Sequence, residues 1–409
     1  MLESSFQSAV AVKVLSDRLD ALLRGFITSL IEQGYADETV QLKLQLLTNF
    51  GQWLKRNRLA VKELDERVVE AFLKRKRRVR RGSLRTLQQF LDYLRSHNVV
   101  PARQLPRDRS PFADILNRYE KHLRTERGLV DHTILEYHSF VRKFLVCRFR
   151  GGPFCLKALK ASHISDFVLR HGHNMAVRRA QLMTTAFRSF FRFLFQKGEL
   201  QADLAASVPT VANWRLATVP KFLAPKEVKR VLKACNRGKA IGRRDYAILL
   251  LLARLGLRAG EVVALQLEDI NWRAGEILIR GKGLLHDRMP LPTDVGEALA
   301  CYLRRDRPPC QTRRVFVCAK APRRGFAGPS TLTTIVHRAL GRANIHPEFK
   351  GAHLLRHSLA TSMLRAGATM GEIAEILRHR TLNTTEIYAK VDFDGLRSLA
   401  HPWPVGGAR

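Results

Sequence analysis

Near the end of the chain, RHRTLNTTEIY sets His379 nine residues ahead of Tyr388 inside a polar, threonine-rich segment. A phenol ionises near pH ~10 and is a poor nucleophile until a neighbour accepts its proton or stabilises the phenolate. Alone, Tyr388 reads as a core tyrosine with a bonded hydroxyl. Three other segments carry groups that bear on that reading. In HLLRH, His353, Arg356 and His357 fall at i, i+3 and i+4 and share one helical face, opposite Leu355, Leu359 and Met363. Two histidines four apart can hold zinc, but no acid or cysteine stands near in sequence. An arginine between them suits an oxyanion better than a cation. In GLRAGE, Arg258 follows a glycine turn, and Glu261 sits three residues on, where it can orient the guanidinium. In ILIRGKGLLHDRMPLP, Lys282 is at the tip of a hairpin, from which an ammonium can reach a bound substrate and deliver a proton.

The elements that must position these groups are mostly helical. KEVKRVLKAC and YAILLLLARLG read as helices, GEILIRGKGLLHDRMPLP as an antiparallel hairpin, and RRVFVCA as one more short strand. Helices resume from Ser330. Gly367 stops the HLLRH helix, and Thr369 with Glu372 forms a capping box for GEIAEILRH, which His379 ends. Asn383 with Glu386 resembles a further helix start, placing Tyr388 on a short helix.

Upstream, the sequence repeats itself. Thr39 and Phe50 recur as Thr133 and Phe144, 94 residues on; Leu64, Val69 and Phe72 recur as Leu159, Ile164 and Phe167, 95 on; Leu87, Phe90 and Leu94 recur as Phe187, Phe190 and Leu194, 100 on. Apolar residues at three- and four-residue spacing make each copy a small helical bundle. Each copy has a basic run ahead of its last helix: Lys74, Arg75, Lys76, Arg77, Arg78, Arg80 and Arg81 in the first, Arg178 and Arg179 in the second. Their recurrence favours contact with phosphates, which positions a protein on DNA without reading sequence.

The 409 residues carry 71 Lys plus Arg against 36 acidic residues, a formal charge of +35. With 45% hydrophobic residues the chain is globular rather than a basic disordered tail. A charge of that size calls for a polyanion, with nucleic acid favoured over anionic membrane. The apolar run AILLLLA is too short to span a bilayer. Six cysteines without a CxxC pair indicate reduced thiols and a cytoplasmic protein, and no metal site is expected.

GLRAGE, GKG, HLLRH and RHRTLNTTEIY, in that order and spacing, resemble the tyrosine recombinase (phage integrase) family, and the second bundle resembles its SAM-like core-binding domain. The resemblance implies a mainly α fold: two N-terminal helical, SAM-like bundles and an α-rich catalytic domain with a small antiparallel β-sheet. The expected domains are a helical DNA-binding bundle at 1–106, a core-binding domain at 110–205, a linker at 206–222, the catalytic domain at 223–400 and a tail at 401–409. It implies a site-specific DNA recombinase in which Tyr388 attacks a phosphodiester to give a 3′-phosphotyrosyl intermediate, integrating or excising a mobile element. Arg258 and Arg356 would hold the non-bridging oxygens and Lys282 would protonate the 5′-oxygen. His353, the expected base, and His379 would bond or hold a proton, with Glu261 and His357 in support. No cofactor is implied, since the bond energy is retained and the arginines stand in for a metal. The implied partners are double-stranded DNA, a homotetramer in the synaptic complex and accessory or companion recombinases, without a membrane, in the bacterial cytoplasm with nucleoid association when acting. Arg378 departs from the family, which commonly has glycine there, and is expected to alter the turn locally and add charge. Two other functions use related machinery: a catalytically idle DNA-binding regulator of a mobile element, and a type IB topoisomerase-like enzyme.

Overall fold

The computed structural model describes residues 17–75, 82–102, 110–150, 152–212, 219–281, 286–391 and 397. The chain divides into two compact units, residues 1–103 with 218–409, and residues 104–217.

The first unit opens with a bundle of α1 (Asp17–Glu32), α2 (Asp37–Arg56), α3 (Glu66–Lys74) and α4 (Ser83–Ser96). Leu47, Phe50 and Leu54 of α2 and Leu87, Phe90, Leu91 and Leu94 of α4 are buried at helical spacing and close its core with Phe26 and Phe72. Asp65 caps α3, its carboxylate accepting from the Val68 amide at 2.9 Å. Lys74 and Arg75 are exposed at the end of α3. Lys76, Arg77, Arg78, Arg80 and Arg81 lie outside the described residues.

The second unit holds α5 (Ala113–Thr125), α6 (Asp131–Phe149), α7 (Ala161–Gly172) and α8 (Val177–Gln196). As in the first bundle, a 3₁₀ turn separates the second and third helices, Val61–Glu63 there and Leu156–Ala158 here. Its core is built on phenylalanine: the Phe144 ring packs against Phe167, Phe187 and Phe191 with centroids 5.3, 5.4 and 5.8 Å away. Ala205 and Val208 complete this core, and Arg188 donates to the Val208 and Pro209 carbonyls at 3.0 and 3.1 Å. The start of the segment whose composition reads as linker is thereby tied to α8. Arg178 and Arg179 are exposed in the first turn of α8.

The first unit resumes with α9 (Pro225–Lys233), α10 (Ala240–Arg254) and α11 (Ala259–Ala264). Every residue from Ala247 to Leu252 of α10 is buried, as in a helix enclosed on all sides. Three antiparallel strands follow, β1 (Ile270–Asn271), β2 (Glu276–Arg280) and β3 (His286–Pro290), in the order β1-β2-β3 with Ile277 opposite Met289. The hairpin is therefore present, but its tip, with Lys282, lies outside the described residues. RRVFVCA does not form the expected strand. It makes only isolated bridges, Gln266 with Arg314 and Val317 with Gly325. Arg307 occupies the Arg314 and Val315 carbonyls at 2.8 and 3.2 Å, so they are taken by a side chain rather than a neighbouring strand. Next come α12 (Thr293–Arg305), α13 (Ser330–Arg342), α14 (His353–Arg365) and α15 (Met370–Ile376), then 3₁₀ helices Leu382–Thr384 and Glu386–Val391. Among the described residues no helix is long and apolar enough to cross a membrane.

The phenylalanine core makes the second unit sensitive to truncation. Phe187→Ala, at a fully buried position, is expected to cost about 3–5 kcal/mol. Native-state hydrogen exchange of the full chain should show α6 and α8 losing protection while α10 keeps its own.

Candidate active site

The site is assembled where two turns cross. Gly256 follows α10 with φ 57°, and a Cβ there would stand 2.7 Å from Leu377 and 3.0 Å from Leu359. Glycine is favoured both by that backbone and by that approach. The Gly256 carbonyl accepts from one arm of Arg356, and the Leu377 carbonyl from the other. Arg356, 3% exposed, thus rivets the turn after α10 to the turn after α15. Burial, followed by the charges of Arg258 and Arg378, brings its pKa down to about 10, which still leaves it charged at neutral pH.

Arg258 is the N-cap of α11. Its amide donates to Glu261 Oε2 at 2.8 Å and its Nη1 to Oε1 at 2.7 Å, so one carboxylate caps the helix and fixes the guanidinium. Nη2 donates to the Arg378 carbonyl at 3.3 Å. The Glu261 side chain is almost wholly buried and also accepts from Arg378 Nη2 at 2.9 Å. Burial alone would raise the Glu261 carboxyl, but the Arg378 charge and the bonds and charge of Arg258 hold it below the usual carboxylate range.

Arg378 corrects the expectation for its turn. Its φ is 53°, the left-handed conformation that glycine adopts freely, and the turn closes through Arg378 N to Glu375 O at 2.9 Å and His379 N to Ala374 O at 2.8 Å. The residue takes up the glycine geometry, at a cost on the order of 1–2 kcal/mol. Its side chain folds inward to Glu261, the Met289 sulfur and, at 3.2 Å, the Ile376 carbonyl. The Nε is buried and has no partner among the described residues. The added charge is turned into the site, where it shares the Glu261 carboxylate with Arg258, rather than displayed to solvent.

Tyr388 lies on the 3₁₀ helix Glu386–Val391, 1% exposed, packed with Ala360, Ile373, Leu377 and Val391. Its hydroxyl is 2.9 Å from His357 Nδ1, and its ring lies parallel to that of His379 with centroids 6.5 Å apart. Burial pushes the phenol up to about 12 against the opposing charges of Arg356 and Arg258. His357 is lowered to about 4 by burial, then by His353 and Arg356; His379 is lowered to about 4 by burial, then chiefly by Arg356 and Arg258. Both are thereby held neutral at pH 7, and His357 is the imidazole in contact with the phenol hydroxyl. His379 Nδ1 is held by Thr385 Oγ1 at 2.8 Å. His353 opens α14, exposed, with its ring 6.2 Å from that of His357.

The structure therefore brings Arg258, Glu261, Arg356, His357, His379 and Tyr388 together, with His353 on the solvent side. His357, not His353, touches the phenol. Sequence reasoning missed two participants. Thr385 is fully buried behind His379, and its signal was the paired threonines before Tyr388. Arg378 had only its departure from glycine to mark it.

Glu261→Gln would leave Arg258 and Arg378 facing each other without a charge between them, and should cost about 3–5 kcal/mol, as breaking a buried pair does. The folded carboxyl pKa lies below the unfolded value of about 4.3, so its stabilisation is complete above that pH and is lost as pH falls through the folded value. Thermal unfolding from pH 3 to 7 should show the wild-type advantage over Glu261→Gln largest near neutrality and shrinking in acid.

Residues 221–394 match the Phage integrase family, and residues 116–198 match the phage integrase N-terminal SAM-like domain. A Sinorhizobium fredii (strain NBRC 101917 / NGR234) protein carrying the name integrase/recombinase y4rA is 44% identical over 384 residues, covering 93% of each chain. Tyrosine recombinase XerD of Mycobacterium tuberculosis (strain ATCC 25618 / H37Rv) is 33% identical over 330 residues, covering 77% of this chain and 97% of that one. The fold is shared with a XerH site-specific recombinase solved with palindromic difH substrate, at a TM-score of 0.56 and 21% identity over 69% of this chain and 83% of that one. A site built from GLRAGE, HLLRH and a tyrosine beside two arginines, in a chain this similar to XerD along nearly all of XerD's length, places the protein in the phage integrase family of tyrosine recombinases.

Proposed function

We propose that this protein cuts and rejoins duplex DNA at a specific site with Tyr388 as nucleophile, and that the strands it exchanges belong to a mobile element. The observation that carries the reading is the Tyr388 hydroxyl, 2.9 Å from His357 Nδ1 and within the electrostatic reach of both Arg356 and Arg258. The phenol oxygen attacks phosphorus and its proton passes to His357, whose basicity rises once an outward swing relieves the burial that lowers it and a phosphate offsets the arginine charge. The 5′-oxygen departs and takes a proton, with Lys282 as its donor. Charge that builds on the non-bridging oxygens is met by the two guanidiniums, which are rigid because their backbones are tied to Glu261, Gly256 and Leu377. His353 faces solvent at the mouth of this group and is placed to bond the phosphate, while His379 buttresses the phenol ring. The 3′-phosphotyrosyl link keeps the bond energy, so the reverse attack by a 5′-hydroxyl restores the strand without ATP or metal.

In this conformation Tyr388 is sealed from solvent, so the segment 382–391 must swing outward for a phosphate to reach it. A one-turn and a two-turn 3₁₀ helix, fastened among other contacts by the Thr385–His379 and Tyr388–His357 bonds and a small apolar cluster, are a modest restraint on such a swing. Strand exchange between two sites calls for paired active sites, and a homotetramer on paired DNA sites, with accessory or companion recombinases where the element supplies them, is the assembly that fits. The XerH relative was captured on a DNA substrate, which supports duplex DNA as the partner here.

Nicked suicide duplexes drawn from the DNA flanking the gene test this reading through covalent protein–DNA adducts on denaturing gels. Tyr388→Phe should form none while binding DNA as before, and Arg258→Lys or Arg356→Lys should slow adduct formation by about 10²–10³-fold. Because burial and the neighbouring cations hold His357 and His379 at about 4 in the sealed site, NMR of the DNA-free protein should show neither imidazole titrating between pH 6 and 7. Strand joining by Tyr388→Phe would remove the mechanism.

A further inference from the structure

The first bundle holds a polar cleft that the catalytic chemistry does not use. It lies between α2 and the start of α4, has a volume of about 500 Å³, and opens to solvent. Lys43 of α2 is half-buried in it and donates to Thr86 Oγ1 at 3.0 Å and Gln89 Oε1 at 2.8 Å on α4. The Lys43 ammonium also stands 4.8 Å from the centre of the Tyr35 ring. All its partners are neutral: no carboxylate is paired with Lys43 or with Arg85 among the described residues. Burial, with the Arg85 charge added, lowers the Lys43 pKa, which is the mark of a cation without its counter-ion.

The start of α4 adds donors of its own. Its N-cap is Gly82 at φ 98°, so among the described residues no side chain caps this helix of 14 residues, and a Cβ at Gly82 would meet none of their atoms within 4 Å. The amides of the first turn, from Ser83 to Arg85, have no intrahelical acceptor and carry the positive end of the helix dipole. Ser83 lines the cleft, is 8% exposed, and its hydroxyl has no partner among the described residues. Lys43, Arg85, the Ser83 hydroxyl and the first amides of α4 thus bring donors and positive charge to one end of the cleft.

The second bundle lacks this arrangement at every matching position. With the offset of 94, Lys43 corresponds to Tyr137; with the offset of 100, Ser83 and Thr86 correspond to Met183 and Ala186. All three are buried in the second core. Moreover α8 begins at Val177, so the positions that open α4 fall inside α8, where the amides are bonded. The cleft is therefore particular to the first copy rather than a by-product of its fold.

We propose that this cleft is a phosphate-binding site, with Lys43, the Ser83 hydroxyl and the first amides of α4 as donors and Arg85 at its rim, and that its ligand is a backbone phosphate of duplex DNA. The choice of DNA over a small phosphate ester rests on the proposed function, and a volume well beyond one phosphate suits a polymer passing through. Such a contact is sequence-independent: it anchors the first bundle and leaves base reading to other surfaces.

Fluorescence anisotropy of the full chain on two unrelated labelled duplexes, across a salt series, tests the proposal, with calorimetric titration of pyrophosphate as a second arm. Lys43→Met keeps the side-chain stem and removes the charge. Ser83→Asp puts a carboxylate at the helix start, where it favours the helix but repels phosphate. Both should weaken binding several-fold on both duplexes alike and lower the salt slope by about one, with an unchanged or raised Tm for Ser83→Asp. Wild-type slope and affinity in both variants, with no Lys43-dependent pyrophosphate binding, would overturn the site. Loss of pyrophosphate binding alone would keep the phosphate site and overturn DNA as its source. Tyr388→Phe in parallel separates the two readings, since it should abolish adducts and leave the slope intact.

Discussion

One carboxylate, Glu261, holds together a group of cations that would otherwise drive each other apart. Arg258 and Arg378 both bond to it, and Arg356 lies close enough for their charges to depress its own pKa. Three guanidiniums against one carboxylate leave a balance of +2 (three minus one) in a largely buried space. That balance is unfavourable for the empty protein and favourable once an anion enters. The same field explains the histidines: a second proton on His357 or His379 would add charge to a site already in excess, so both stay neutral.

Rigidity is the second consequence. Arg356 is bound to two backbone carbonyls rather than to an acid, so its direction is fixed by the turns at Gly256 and Leu377 and not by a mobile side chain. Arg258 is fixed through the helix cap that Glu261 completes. A planar fork whose support is the backbone loses little further freedom when it meets two phosphate oxygens. The cost is carried locally, by a left-handed Arg378 and its Nε, which is unpaired among the described residues.

Much of this was legible in local spacing. The Arg258–Glu261 pair is an i, i+3 contact, the Thr369–Glu372 capping box forms as its residue types dictate, and Gly367 ends its helix at φ 90°. What local spacing does not carry is partnership across the chain. Arg378 meets Glu261 over 117 residues, and nothing near either one announces it. His353 and His357 are equivalent on a helical wheel, yet one opens α14 in solvent and the other is covered by the 3₁₀ helix of Tyr388. RRVFVCA has strand composition, but Arg307 takes its carbonyls. The basic residues 76–81 and Lys282 lie outside the described residues, so their roles stand on sequence alone.

The sealed tyrosine gives the arrangement its logic. Inside its pocket two influences oppose each other on the phenol: burial raises its pKa, the arginines lower it, and burial prevails. Under the proposed function, an outward swing that removed the burial and kept the arginines near would make exposure and activation of Tyr388 one event. Binding of a phosphate between the guanidiniums would in turn neutralise part of the excess charge that holds the histidines neutral. Under the proposed function, a tyrosine covered until its substrate is in place is kept from stray electrophiles, and the Thr385–His379 bond, the His357 bond and a small apolar cluster are among the contacts that keep it covered.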